Sequence, residues 1–319
     1  MKKAMSFIPL ILISLMTAIC SGEKTDIKES PKSTSSIIGG FPIKMIRNKV
    51  ILPVRVNDSK ELEIILDTGM PFDGLYLFHK ELKGELALEG VKEVQVPGAG
   101  SGEASTAIQS DSARLSFGDI EIMTESVIIS QSATTQWFGA DGVLGYTLFG
   151  RYAIEIDYDE MVINLHDTTK IDPDSTWEKV EITLPKGIPF LEASVAVTGD
   201  SLIPVTLYID LASSDALEML VKSDMKFELP ENCTETYLGT GLSGDIYGKT
   251  GRISIFKLGS FELHDLPGAF APAEVRSRQE GADGILANNA LRRFNVIFDY
   301  SHETMYIKPN SYFPRPFEQ

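Results

Sequence analysis

The sequence predicts an all-β protein built from two duplicated, β-barrel-like lobes with a cleft between them. Three observations carry that prediction. First, landmarks recur in one order at one spacing. Gly139-Ala140-Asp141-Gly142-Val143-Leu144 returns 142 residues later as Gly281-Ala282-Asp283-Gly284-Ile285-Leu286. Ile156-Asp157-Tyr158 returns as Phe298-Asp299-Tyr300, and Asn57-Asp58-Ser59 is echoed by Gly199-Asp200-Ser201, at the same offset. A unit of this length is too long for a solenoid repeat and suits a small globular lobe. Second, the apolar runs are short and bounded by Gly, Asn, Asp and Pro, as strands are. Third, no segment carries a long apolar stripe at helical spacing.

Met1-Lys2-Lys3 followed by the apolar run Phe7 to Ile19 reads as an export signal over residues 1–20, too short for an ordinary membrane span of roughly 20 residues. Cys20 ends it in a context that resembles a bacterial lipoprotein signal, which would make Cys20 the lipidated residue; Ile19 departs from the small residue usual there. An ordinary signal cut at a nearby small residue is the alternative. Residues 21–38 are rich in Lys, Glu, Ser and Thr, bury nothing and read as a flexible tether.

The first lobe is expected over residues 39–168. Val50 to Val56 alternates toward the Asn57-Asp58 turn, and Ile64-Ile65-Leu66 then runs straight into Asp67-Thr68-Gly69. Val94-Gln95-Val96 leads to a Gly-rich tip over 97–102, and Arg114–Phe117 with Ile120–Ile122 flank a Gly118-Asp119 hairpin turn. Residues 169–179, polar and holding Pro173, form the connector. The second lobe, 180–319, repeats the plan with Val205–Ile209 running into Asp210, a Gly-rich tip over 239–244, and the strand pair around Gly259-Ser260. Short helices are expected at Tyr146–Arg151, Ala216–Val221 and Asn288–Arg293, and an ordered tail over 311–317.

An apolar run that ends in an aspartate delivers a carboxylate to a low-dielectric site, where even an unpaired polar group costs roughly 2–7 kcal/mol. One lone Asp-Thr-Gly would ordinarily close a turn. Two carboxylates, Asp67 and Asp210, at matching positions 143 residues apart can meet across a pseudo-twofold axis. A pair in hydrogen-bond range shares one proton and titrates as a unit.

The run Ile65-Leu66-Asp67-Thr68-Gly69, followed by Val143-Leu144-Gly145, resembles the pepsin and retropepsin superfamily of aspartic proteases. The longer matches, Gly-x-Asp-Gly-Val-Leu-Gly-Tyr and Leu291-Arg292-Arg293-Phe294-Asn295-Val296-Ile297-Phe298-Asp299-Tyr300, are similar to bacterial secreted proteins with two retropepsin-like domains. The resemblance covers about Gly39 to Pro309. It implies a bilobal aspartic-protease-like fold and an endopeptidase in which Asp67 and Asp210 activate water, with Thr68, Gly69 and Ser213 supporting the dyad. It implies flaps at the Gly-rich tips, with Gly98, Gly100, Gly102, Gly239 and Gly241 as substrate-facing candidates. No cofactor is implied, and a monomer acting on a peptide or protein substrate is expected.

The second lobe departs from the pattern. Leu211 cannot donate the hydrogen bond that Thr68 can, Ala212 stands for Gly69, and Ala287 stands for Gly145. The paired Gly-to-Ala changes suggest a slightly expanded loop, or a lobe drifting out of catalytic use. A non-catalytic peptide- or protein-binding module that keeps the fold is therefore the rival reading. Ser213 is expected to hydrogen-bond Asp210, where Met70 offers Asp67 no such side chain. Fewer hydrogen bonds to the carboxylates would move the working range toward neutral pH.

Other chemistries find little support. A net charge of −16 argues against nucleic acid and against anionic membrane surfaces, leaving the lipid anchor as the membrane contact. Export to the cell envelope, anchored or as a soluble periplasmic or secreted protein, is expected. Two cysteines give no disulfide framework, so the 43% hydrophobic content must supply the cores. His79, His166, His264 and His302 are scattered without metal-ligand spacing. Gly239-x-Gly241-x-x-Gly244 lacks the strand–helix–strand setting of a dinucleotide site. Cys233 sits among acidic neighbours that discourage a thiolate. Asp157 and Asp299 are expected to serve turns or strand ends.

Overall fold

The computed structural model describes residues 37–167, 171–276 and 280–318. The export signal, Cys20 and residues 21–36 of the expected tether lie outside them. The first half runs β1 (Ile37–Pro42), β2 (Lys44–Ile46), β3 (Lys49–Val56), β4 (Leu62–Leu66), β5 (Leu75–Leu77), β6 (Lys92–Val96), β7 (Ser105–Ser110), β8 (Ala113–Phe117), β9 (Ile120–Thr124), β10 (Val127–Ser130), β11 (Gly142–Leu144), the one-turn helix α1 (Tyr146–Phe149), β12 (Ala153–Asp157) and β13 (Val162–His166). The second half runs β14 (Glu178–Glu181), β15 (Phe190–Ala196), β16 (Ile203–Asp210), β17 (Leu217–Val221), β18 (Thr234–Gly241), β19 (Gly244–Leu258), β20 (Phe261–Pro272), β21 (Gly284–Ala287), the one-turn helix α2 (Asn288–Leu291), β22 (Phe294–Asp299) and β23 (Thr304–Pro309). The fold is all-β. Among the described residues no helix is long and apolar enough to cross a membrane.

Three sheets organise these strands. A seven-stranded sheet in the second half runs β15-β16-β21-β17-β20-β19-β18, and an added β15–β19 pairing closes it on itself. The ten-stranded sheet of the first half follows β6-β7-β10-β5-β11-β4-β3-β8-β9, with β2 on β3. Its ladder is an open path because the long strands β19 and β20 correspond here to broken pairs. The chain bends at Asp111-Ser112 between β7 and β8, and at Glu125-Ser126 between β9 and β10. The third sheet, β1-β13-β12-β22-β23-β14, draws strands from both halves, joined where Ile154 and Ile156 pair with Phe298 and Val296. Nothing in the strand periodicity announced this shared sheet.

The repeated sequence landmarks occupy matching hydrogen-bonded positions. Asp141 accepts the Glu63 N–H at 2.8 Å, while its own N–H donates to the Glu63 carbonyl and its carbonyl accepts from Phe78. Asp283 makes the same three bonds with Thr206 and Leu220. The expected hairpin turns are also in place, with Phe117 opposite Ile120 and Leu258 opposite Phe261. Asp157 accepts from the Asp159 and Glu160 N–H groups, and Asp299 from Ser301 and His302, so both close strand ends.

Three expectations need correction. Ala216–Val221 is not a helix: Leu217–Val221 is strand β17, pairing with β21 on one side and β20 on the other. A strand buried on both faces shows no alternation, so its apolar run cannot be told from a helix by period. The tether ends earlier than expected, since Ile37 and Ile38 pair with His166 and Leu165 in β1. The connector likewise gives Glu178 and Lys179 to β14. The tail is ordered as expected: Arg293 donates to the carbonyls of Tyr312, Arg315 and Pro316, and lies 3.6 Å from the Phe317 ring centroid.

Candidate functional site

Two carboxylates, one from each half of the chain, lie on either side of Gly69. Strand β4 runs parallel to β11, and the Asp67 N–H extends that ladder to the Leu144 carbonyl at 2.9 Å. In the second half β16 runs parallel to β21, with Asp210 opposite Ala287. Each aspartate thus stands where its chain leaves the sheet. A Cβ placed on Gly69 would lie 3.1 Å from the Asp67 Oδ1 and 3.8 Å from the Asp210 Oδ2. That single glycine borders both carboxylates, and the sharp turn of the chain there leaves no comfortable room for a side chain.

The supporting residues behave unequally. Thr68 is buried and its hydroxyl works in both directions, donating to the Ile209 carbonyl at 2.7 Å and accepting the Leu211 N–H at 3.1 Å. Thr68 therefore ties the Asp67 loop to the Asp210 loop. Leu211 returns no such bond; its side chain is fully buried in the main core. Gly69 donates its N–H to the Asp67 Oδ1 at 2.8 Å. The Asp210 Oδ1 accepts two, from Ala212 at 2.9 Å and Ser213 at 3.0 Å. Ser213 thus supports Asp210 through its backbone, not through the hydroxyl that its sequence position suggested. Met70 also offers Asp67 a backbone pull, though its N–H bonds the Asp67 carbonyl at 3.3 Å.

The Gly-to-Ala changes are coherent. A Cβ on Gly145 would lie 2.6 Å from the Met70 carbonyl oxygen, beneath the Asp67 loop. There the Tyr146 N–H reaches Met70 at 3.0 Å; beneath Asp210 the matching bond, Asn288 to Ser213, is 3.3 Å. Ala287 is fully buried, so the second loop has moved out far enough to take its methyl group.

Burial sets the protonation of the pair. It pushes Asp67 up to about 7, with the Asp210 charge adding to the shift. Burial raises Asp210 as well, against the pull of Arg276, Lys49 and its two backbone donors. Both shifts run upward, so the pair keeps a proton to higher pH than free carboxyls would and titrates as a unit.

Sequence reasoning missed the charges around the dyad. Lys49 follows the left-handed Arg47-Asn48 turn, whose Asn48 side chain donates to the Ser214 carbonyl at 3.1 Å while its own carbonyl accepts from Asn288. That turn docks a first-half hairpin on the Asp210 loop. Glu218 is almost wholly buried in β17 and holds Arg276 through two bonds of 2.8 and 2.9 Å. Asp215 is pushed up to about 6 by burial and by Glu218. One signal was available: a glutamate inside Ala216-Leu217-Glu218-Met219-Leu220 needs a buried cation.

The two Gly-rich tips meet each other. The Gly98 N–H donates to the Ser243 hydroxyl at 3.0 Å, Gly102 N–H to the Ser243 carbonyl at 2.6 Å, and Ser243 N–H to the Ala99 carbonyl at 2.9 Å. The Ser105 hydroxyl bonds the Leu242 carbonyl. A Cβ on Gly100 would sit 2.6 Å from the Gly244 carbonyl oxygen, and one on Gly102 2.6 Å from that of Ser243, so the backbones approach to a distance only glycine allows. Gly241 is equally tight against Ala99, whereas Gly239 faces open space. Leu242 packs against the apolar cluster of Ile65, Tyr76, Phe78 and Val143 in the first half.

Among the described residues no group of three or more His, Cys, Asp or Glu could hold a metal ion. Burial pushes the Cys233 thiol up, away from thiolate chemistry. The chain matches no protein-family model and none of the curated proteins.

Proposed function

We propose that this chain is an aspartic endopeptidase in which Asp67 and Asp210 activate a water molecule against the carbonyl of an extended peptide. One observation carries the reading: Gly69 borders both carboxylates, at the ends of matching parallel strand pairs, in a setting that leaves one of them protonated near neutral pH. The ionised carboxylate takes a proton from water while the protonated one gives its proton to the carbonyl oxygen. The carbon–oxygen bond forms without a covalent enzyme intermediate. The flap tips support the same reading, since a substrate strand held beneath them would pair with exposed backbone groups and exclude water from the dyad. The recurring Asp141 and Asp283 brackets support descent of the two halves from one duplicated lobe, as in the pepsin and retropepsin superfamily.

One observation favours a binding module instead. Leu211 removes half of the hydrogen-bond network beneath the dyad, and a cleft that holds peptides needs no such network. Cleavage of a diverse peptide pool from pH 3 to 8 separates the two. The enzyme reading expects cutting by the native protein and none by Asp67→Asn or Asp210→Asn. A native protein as inert as both variants across that range leaves the binding module. From the leader sequence we also infer export and anchoring through Cys20, tested by the mass of the mature N-terminus, which must carry a lipid-modified cysteine.

A further inference from the structure

The buried rows beside the two aspartates differ in charge. In the first half Ile65, Val143 and Tyr76 stand side by side across β4, β11 and β5. In the second half the equivalent row across β16, β21 and β17 is Tyr208, Ile285 and Glu218. Paired residues of neighbouring strands share a face, and residues two apart along one strand do too. Glu218 therefore lies on the face that carries Asp210. A carboxylate so buried is held only if a cation comes to it. Arg276 supplies that cation from the turn Ala273–Arg276, with its side chain 12% exposed and its fork matched to both Glu218 oxygens.

We propose that Arg276, clamped by Glu218, is a positioning residue that makes Asp210 the ionised member of the dyad and Asp67 the proton carrier. The inference rests on the endopeptidase reading for its role in catalysis, but its electrostatics can be measured without cleavage. Two asymmetries of the site agree with it. The Asp210 Oδ1 accepts two backbone N–H bonds, where the Asp67 Oδ1 accepts one and feels the Met70 N–H only as a weaker pull. Arg276 is the strongest charge drawing Asp210 down, while Lys49 acts on both aspartates and so does not choose between them. The other groups around the pair are Asp215 from the loop after Asp210, Tyr208 from β16 and Tyr300 from the turn after β22. Both tyrosines are held neutral by burial, leaving Lys49, Arg276 and Glu218 as the fixed charges around the two aspartates and Asp215. In the reaction, water then loses its proton to Asp210, its oxygen bonds the carbonyl carbon, and the proton of Asp67 passes to the carbonyl oxygen as the C=O π bond opens. Asp210 ends protonated and Asp67 ionised.

The same turn touches the flap. Its Val275 carbonyl accepts the Gly100 N–H at 3.3 Å, one residue from Arg276. The first tip is thus hydrogen-bonded to the main chain next to the arginine.

The test is a carbon-13 titration of the aspartate carboxyls in variants that never leave Glu218 buried without a partner. Glu218→Gln and the double variant Glu218→Gln/Arg276→Gln are compared in the Asp67→Asn background, where Asp210 titrates alone, and in the Asp210→Asn background, where Asp67 does. Asp210 is expected to titrate about one pH unit higher in the double variant than in Glu218→Gln, with Asp67 moving less than half as far. Equal shifts at the two aspartates, or none at Asp210, overturn the proposal; a merely structural role for Arg276 moves neither. If the shifts appear as expected in a protein that cuts no peptide, the charge assignment stands and the endopeptidase reading falls.

Discussion

Replacing Asp67 by asparagine should stabilise the protein in mild alkali, and the reason lies in the burial of the pair. The Asp67 carboxyl rises from an ordinary 3.8 to about 7 on folding. A carboxyl whose pKa rises binds its proton more tightly in the folded state. That contribution is complete below the unfolded value, near pH 4, and is lost as the pH climbs through about 7. A rise of roughly three units corresponds to about 4 kcal/mol at about 1.4 kcal/mol per unit. Asp67 is only half-buried by its exposed surface, and solvent screening reduces the figure to about 2 kcal/mol. Asparagine has no proton to lose and relieves Asp210 of a like charge. Denaturant unfolding at pH 4, 6 and 8 measures the difference. The variant should match the native protein within about 0.5 kcal/mol at pH 4 and exceed it by about 2 kcal/mol at pH 8. A gap that is flat with pH, or a variant less stable at pH 8, would refute burial and mutual repulsion as the origin of the shift.

Thr68→Val should destabilise by about 2 kcal/mol or more, because it leaves the Ile209 carbonyl and the Leu211 N–H buried without a partner; thermal unfolding measures it, and a loss below about 0.5 kcal/mol would show the two loops tied elsewhere. Gly98→Val should splay the Gly-rich tips, since even a Cβ there meets Leu242; amide exchange at Gly102 and Ser243 should speed by tenfold or more, and unchanged protection would mean the tips do not bear on one another.

Much of the architecture was legible because short-range chemistry fixes it. Gly118-Asp119 and Gly259-Ser260 write their turns into the sequence, and the Asp-Gly-Val-Leu and Asp-Gly-Ile-Leu runs mark strands whose aspartates bracket a neighbour. The dyad candidates were legible for the same reason, each closing an apolar run. What stayed hidden depends on partners far along the chain. Strand β17 concealed its type because both its faces are buried, and the shared sheet of β12 and β22 depends on pairing between residues about 140 apart. Arg276 meets Glu218 across 58 residues, a pairing that no local pattern encodes. Ser243 looked like one more tip residue, yet it is the most bonded member of the junction between the Gly-rich tips.

The two halves also spend one matching arginine differently, and this bears on the cleft. Arg151, just past α1, donates to Asp73 at 2.5 Å and to the Thr147 carbonyl at 2.6 Å. Burial alone would raise Asp73, but the bonds from Arg151 and Thr147 hold its carboxyl below the usual range. Asp215 and Arg293 occupy the same places in the second repeat, 142 residues on. Arg293 has turned instead to the tail carbonyls of Tyr312, Arg315 and Pro316. Asp215 is thereby left beside Glu218 and Asp210, and burial lifts it to about 6. The arginine that orders the C-terminal tail is thus the counterpart of the one that pairs with Asp73 in the first half. Arg276 and Lys49 are the cations that draw Asp210 and Asp215 down, whereas in the first half Arg151 pairs with Asp73 and the row of Ile65, Val143 and Tyr76 beside Asp67 is apolar and buried.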